Sequence, residues 1–263
     1  MDIIVCVKQV PDTQEVKIDP KTNTIVREGV SSVLNPFDAY AVEEALRIRD
    51  RFGGKVIAIS MGIPKASKML KEILALGVDD AVLLSDRAFA GADTLATAYT
   101  LALGIQKIGK YNLILCGKQA IDGDTAQVGP SLAEKLNIPH ITYASKIEKL
   151  ESNWIRVRRL VDDGYEIVEA SLPAVITVEK GLNVPRLPSL KTFKVAQKKE
   201  VKIWNYQDIS ADPSRTGLNG SPTQVIKTFV PQYGKSVEIL EGTTDRQVEK
   251  LFQKLSEEGF LLE

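Results

Sequence analysis

Short, wholly apolar runs separated by helix-length segments constrain this chain more than any other feature. "IIVCV", "KVIAIS", "AVLLS" and "NLILC" carry almost no polar side chains. A strand that is apolar on both faces must be covered on both, which is the condition of a parallel sheet between helices. The intervening segments supply the covers. "NPFDAYAVEEALRIRDRFGG" offers Asn35 as N-cap, Pro36 at the first helical position and Gly53-Gly54 as a stop. Phe37, Ala41, Ala45, Ile48 and Phe52 recur there at helical spacing and predict a buried stripe. "PKASKMLKEILALG", "DTLATAYTLALGIQKIG" and "TAQVGPSLAEKLN" predict three more helices. Repeated strand–helix units joined by right-handed crossovers predict a Rossmann-like, doubly wound parallel sheet, with a ligand crevice beyond the carboxyl ends of its strands.

The pattern changes after about residue 140. "ITYASKIEKLE", "NWIRVRRLV", "YEIVEASL" and "AVITVEK" alternate apolar and polar residues, and "DDG" at 162–164 is a hairpin turn signal. These runs predict antiparallel strands added to a sheet edge, spanning about 141–180. From Asn183 the chain is proline-dotted and basic, and after Trp204 it is poorly periodic until a final helix, "DRQVEKLFQKLSEEG". So long an irregular stretch suits an arm laid over a partner. The expected division is therefore an α/β domain over 1–204 and an arm with its helix over 205–263.

Composition narrows the function classes. The chain has 34 basic and 34 acidic side chains, so its formal charge gives no reason to expect nucleic acid or an acidic membrane surface. No run approaches the ~20 apolar residues of a membrane span, and the start "MDIIVCVKQV" has no basic leader, so the expectation is a cytoplasmic protein with no membrane insertion. Cys6 and Cys116 sit inside apolar runs and read as buried, reduced thiols. His140 is the single histidine, which argues against a histidine zinc site or a Ser-His-Asp triad. Neither a Walker loop nor a G-x-G-x-x-G is present, so neither a P-loop NTPase nor a Rossmann dehydrogenase is supported.

What remains is a set of loops at one sheet edge: "KQVPD", "SMGIP", "SDRAFAGADTLATA" and "GKQAIDGDTAQVGP". Each brings small residues, hydroxyls or free amides to a helix start, where anions are favoured. The last poses a problem, because Asp122 and Asp124 sit where a phosphate would want no negative charge. Helix capping gives a bland account of Asp93 and Asp124.

"VKQVPDT", "NPFDAYAVEEALR", "GADTLATA", "LILCGKQAIDGDTAQVGP", "LPAVITVEKGLNVPR" and "GSPTQVIKTFVP" together resemble the β subunit of electron transfer flavoproteins, over essentially the whole chain. The resemblance implies an adenine nucleotide alpha hydrolase-like fold and a heterodimer with an FAD-bearing α subunit on which the C-terminal arm packs. It implies a β-subunit crevice holding FAD or, alternatively, structural AMP. "SDRAFAGADTLATA" with "DGDTAQVGP" is more similar to the FAD-bearing members, which bifurcate electrons: NADH gives a hydride to the β-subunit flavin. One electron then goes to ferredoxin or flavodoxin, the other through the α-subunit FAD to an acyl-CoA dehydrogenase-like flavoenzyme. The role implied is that of an electron-carrier subunit with no catalytic side chain and no metal.

Carried over residue by residue, the cofactor contacts are Cys6, Asn35, Met61, Gly62, Asp93, Thr94 and Thr97, with Gly117, Lys118, Gln119, Ala120, Ile121, Asp122, Gly123, Asp124, Thr125, Ala126, Gln127 and Val128 wrapping the adenosine phosphate. Lys118 is expected to offset phosphate charge, and the aspartates to take hydroxyls or caps. A partner-recognition loop is implied at about 178–199, with Leu187, Leu190, Lys191 and Lys194 as its contacts. A nucleotide-sensing module of similar architecture is the competing reading. Such chains usually end after the fifth strand, and the hairpin, basic loop and tail argue against it.

Overall fold

Strand β1 (Ile3–Cys6) lies inside a nine-stranded sheet and is the strand from which the winding reverses. In the computed structural model, residues 1–12, 31–226 and 237–260 are described. Thr13 of the first loop, residues 227–231 of "GSPTQVIKTFVP" and the rest of 227–236 in the expected arm lie outside them. After β1 the chain makes a small antiparallel ribbon, β2 (Gln9–Pro11) with β3 (Ser32–Leu34), and enters helix α1 (Pro36–Phe52). Then come β4 (Val56–Met61), α2 (Ser67–Ala75), β5 (Asp80–Leu84), α3 (Thr94–Ile108), β6 (Leu113–Gly117) and α4 (Val128–Leu136). Four strands follow: β7 (His140–Leu150), β8 (Trp154–Val161), β9 (Gly164–Ser171) and β10 (Ala174–Val178). Helix α5 (Leu190–Lys198) and β11 (Lys202–Trp204) complete the sheet domain.

The sheet order is β11-β5-β4-β1-β6-β10-β7-β8-β9. All pairings from β11 to β7 are parallel, and β7-β8-β9 are antiparallel. The apolar runs work as expected. Ile3 and Val5 belong to the core under α1, α2 and α5, while Ile4 and Cys6 belong to the core under α3 and α4. Leu113 and Leu115 alternate with Ile114 and Cys116 in the same way. Two faces are buried, so both parities must be apolar.

Three local expectations are corrected. "AVITV" is not part of an added antiparallel edge: β10 is wholly buried and parallel to both β6 and β7. Only β8 and β9 form the antiparallel extension, turning at Asp162-Asp163. The run reads equally as a continuous apolar core strand, and the neighbouring hairpin signal masked that alternative. Phe52 leaves the predicted stripe, being 38% exposed with the Arg51 guanidinium 4.9 Å from its ring centre. The buried face of α1 is carried instead by Ala41, Val42, Ala45, Leu46 and Ile48. The segment expected as a loop at about 178–199 contains a helix, because Ser189 and Thr192 form a reciprocal capping box that starts α5.

The chain divides into two compact units, Met1–Ile226 and Lys227–Glu263. Residues 205–226 thus belong with the sheet domain rather than with an arm starting at 205. Ile209 and Ala211 join the core on the α3–α4 side, and the Leu218 amide donates to Ala90 O at 2.9 Å. In the second unit, helix α6 (Thr244–Glu257) has no buried residue, and Val248, Leu251 and Phe252 form an exposed apolar stripe at helical spacing. No helix among the described residues is long and apolar enough to cross a membrane.

Candidate functional site

Winding proceeds from β1 to β4 and β5 on one side, then from β6 to β10 on the other. The crevice of such a sheet opens between the carboxyl ends of β1 and β6, where loops leave in opposite directions. Cys6 and Cys116 are register partners there. Both are free and buried, and the contact with Cys6 together with burial pushes the Cys116 thiol well up, so neither is poised as a thiolate.

The loop after β6 is clipped over this crevice by residues from the other side of the switch. Asn35 is buried at the N-cap position of α1, but its side chain makes no cap hydrogen bond. Its Nδ2 donates to Gln119 O at 2.8 Å and to Asp38 Oδ1 at 2.9 Å, while its Oδ1 accepts from the Ile121 amide at 3.2 Å. Asp38, buried in the first turn of α1, accepts from the Lys8 amide at 2.7 Å and the Gly117 amide at 3.2 Å. One carboxylate thus ties the ends of β1 and β6 to the start of α1. Glycine at 117 is required by that approach: a Cβ would lie 2.3 Å from Asp38 Oδ1 and 2.7 Å from the Phe37 carbonyl carbon.

Burial pushes the Asp38 carboxyl up to about 7, against the pull of Asn35, the Lys8 and Gly117 amides and the Lys8 charge. Its folded value lies above its unfolded one. Its contribution to stability is therefore fully present below about pH 4 and is lost as pH rises through about 7. Thermal melts between about pH 5 and pH 8 are expected to show a wild-type decline that Asp38→Leu lacks, with a ceiling of about 3 kcal/mol over that window. Parallel slopes in the two proteins would remove Asp38 as the source.

The two aspartates of the loop are both occupied by the protein. Asp122 pairs with Lys8 Nζ at 2.6 Å across the switch point, and Asp124 Oδ1 accepts from Gln119 Nε2 at 2.8 Å. Asp124 therefore does not cap α4, which begins four residues later without a side-chain cap. Lys118 pairs with Glu179 at 2.7 Å, 5.1 Å from the Tyr143 ring centre, and its amide donates to Val178 O. Asp124 and Ala126 have φ of 48° and 53°, left-handed values that cost an alanine free energy unless the surroundings impose them. Gly123 has no left-handed φ, and a Cβ there would meet nothing within 4 Å. The amides of Thr125, Ala126 and Gln127 donate to no acceptor among the described residues, immediately before Val128 opens α4. Unpaired amides at a helix N-terminus form an anion cradle.

The other expected contacts lie along the same edge without direct bonds to this loop. Met61 ends β4, and Gly62 donates to Leu84 O. Thr94 and Thr97 lie in the first turn of α3. Asp93 caps that helix through the Leu95 and Ala96 amides and accepts twice from Thr223. Lys8, Asp38 and Glu179 were missed in the sequence. Asp38 resembled an ordinary first-turn acid, and no local signal marks the other two. Leu187 and Leu190 are 88% and 84% exposed, with Val184 and Phe193 exposed beside them, and Lys191 and Lys194 are exposed on α5.

Sheet and loop together define a Rossmann-like α/β protein with an anion-ready loop at its switch point. Residues 22–209 match the electron transfer flavoprotein domain. The chain is 51% identical over 257 residues to the electron transfer flavoprotein subunit beta of Thermoanaerobacterium thermosaccharolyticum, covering 97% of this chain and 98% of that protein. It is 52% identical over 263 residues to the caffeyl-CoA reductase-Etf complex subunit CarD of Acetobacterium woodii, covering 99% and 100%. It is 44% identical over 248 residues to protein FixA of Azotobacter vinelandii, covering 92% and 88%. The chain belongs to the electron transfer flavoprotein β-subunit family.

Proposed function

We propose that this chain is the β subunit of a heterodimeric, electron-bifurcating flavoprotein and that its crevice holds FAD. The observation that carries the reading is the clipped loop 117–128, with Asp122 paired to Lys8, Asp124 hydrogen-bonded by Gln119, and three consecutive amides that find no acceptor among the described residues before α4. Those amides would hold the diphosphate of the cofactor, and the open space at Gly123 would admit its approach. Thr94 and Thr97 would offer hydroxyls to its polar groups. FAD, when bound, supplies hydride acceptance from NADH and electron transfer to ferredoxin or flavodoxin and, through an α-subunit FAD, to an acyl-CoA dehydrogenase-like flavoenzyme. The protein's part is to bind, orient and desolvate.

The FAD reading is supported by "GADTLATA" and "DGDTAQVGP", and by likeness to a subunit of a caffeyl-CoA reductase–Etf complex. The exposed stripe on α6 supports its packing on an α subunit, and the exposed leucines before and on α5 support a dehydrogenase contact. Denaturing extraction of the co-expressed heterodimer, with both nucleotides quantified, is expected to return two FAD and no AMP. One FAD with one AMP would end the bifurcation proposal while leaving the family unchanged.

A further inference from the structure

Helix α3 has a flank that the proposed cofactor site does not use. Leu95 and Tyr99 are one turn apart, and at ~100° per residue they lie on the side of the helix away from Thr94 and Thr97. They border a cleft of about 370 Å³ whose other walls include Lys135 of α4 and Ser214, Arg215 and Pro222 of the segment after β11. All of it lies within the Met1–Ile226 unit.

The cleft is basic. Neither Lys135 nor Arg215 forms an ion pair among the described residues. Asp212, its carboxyl lowered by the Ser214 hydrogen bonds and then by the Arg215 charge, accepts from the Ser214 amide at 2.9 Å and hydroxyl at 2.7 Å, and Asp93 caps α3. Arg215 is already ordered, its guanidinium 4.2 Å from the Tyr99 ring centre, and the Tyr99 hydroxyl is fixed by the Asp212 amide at 3.2 Å. A stacked guanidinium keeps its edge donors available for an oxyanion and loses little freedom on binding one. The volume lies in the range of small-molecule sites and exceeds what one inorganic ion fills. Leu95, Tyr99 and Pro222 give the wall an apolar or aromatic side, and Asn219, Gly220 and Ser221 complete it.

We propose that this cleft binds a small phosphate ester bearing a planar ring, with the phosphate between Lys135 and Arg215 and the ring against Leu95, Tyr99 and Pro222. The site is separate from the crevice at β1 and β6, and it does not depend on which nucleotide that crevice holds.

Phenyl phosphate is the probe, titrated into the full chain as purified, with its own nucleotide and α subunit in place, and followed by calorimetry and ligand-observed NMR. Saturable binding of one equivalent in the millimolar range or tighter is expected, with inorganic phosphate several-fold weaker because it leaves the apolar wall uncovered. Lys135→Gln and Arg215→Gln are each expected to weaken phenyl phosphate by about tenfold or more. Lys135 is only half-buried on α4, so its variant keeps the test open even if the Arg215 variant misfolds. Gly123→Val, in the other site, is expected to leave phenyl phosphate binding unchanged. No saturable binding would overturn the proposal, as would binding indifferent to Lys135→Gln or abolished by Gly123→Val. Binding seen with the isolated chain but blocked in the heterodimer would instead assign the cleft to a carboxylate of the α subunit, and would overturn it too.

Discussion

Gly117→Ala is expected to empty the crevice and destabilise the domain, whereas Gly123→Val is expected to empty it alone. The contrast comes from what each new Cβ meets. At 117 it would sit 2.3 Å from Asp38 Oδ1 and 2.8 Å from the Asp38 amide nitrogen, so either β6 or the start of α1 must move. Overpacking of that kind costs roughly 1–3 kcal/mol, and the buried carboxylate also loses the Gly117 amide that accompanies its burial. At 123 nothing lies within 4 Å and φ is not left-handed, so the fold has no objection to a side chain there. Any loss of nucleotide in Gly123→Val therefore reports the ligand and not the protein. Melting temperature and bound nucleotide, measured on both variants co-expressed with an α subunit, check the pair. Full nucleotide content in Gly123→Val would place the ligand away from this loop.

Leu190→Ala is expected to slow electron delivery to the dehydrogenase-type partner by roughly thirtyfold at limiting partner concentration, the effect of losing about 2 kcal/mol from an interface anchor. Stability should stay within about 0.5 kcal/mol, because the side chain is 84% exposed and supports no core. The platform beneath it is firmly held without it. Arg186 reaches Glu43 at 2.8 Å and Asp50 at 3.0 Å, and Asn183 Nδ2 donates to Tyr40 O at 3.0 Å and to Glu44 at 2.9 Å. Electron transfer measured against partner concentration, alongside chemical reduction of the bound flavin, separates docking from chemistry. An unchanged concentration dependence would move the docking surface off α5.

The same residues show where a sequence can be read and where it cannot. Strand parity in "IIVCV" and "NLILC", the Pro36 start of α1, the Asp93 cap and the "DDG" turn are set within a few neighbours, and all were legible. Failures came where a local rule had two solutions. A five-residue apolar run such as "AVITV" fits a hairpin or a core strand, and only its place between β6 and β7 chooses. Asn35 has a good capping side chain, yet the returning loop offers Gln119 O and the Ile121 amide, and those contacts use it instead.

By itself the sequence determined a doubly wound α/β sheet, the family and the loop 117–130 as the place to look, because periodicity, turn chemistry and a long unusual segment are properties of adjacent residues. Tertiary structure alone decided why that loop can face an anion despite two aspartates. Lys8 and Asp122 are 114 residues apart, and Gly117 and Asp38 are 79 apart. Such pairs meet only because β6 returns to lie beside β1 across the switch point, and burial there is what lifts the Asp38 carboxyl and commits its oxygens to the two strand ends.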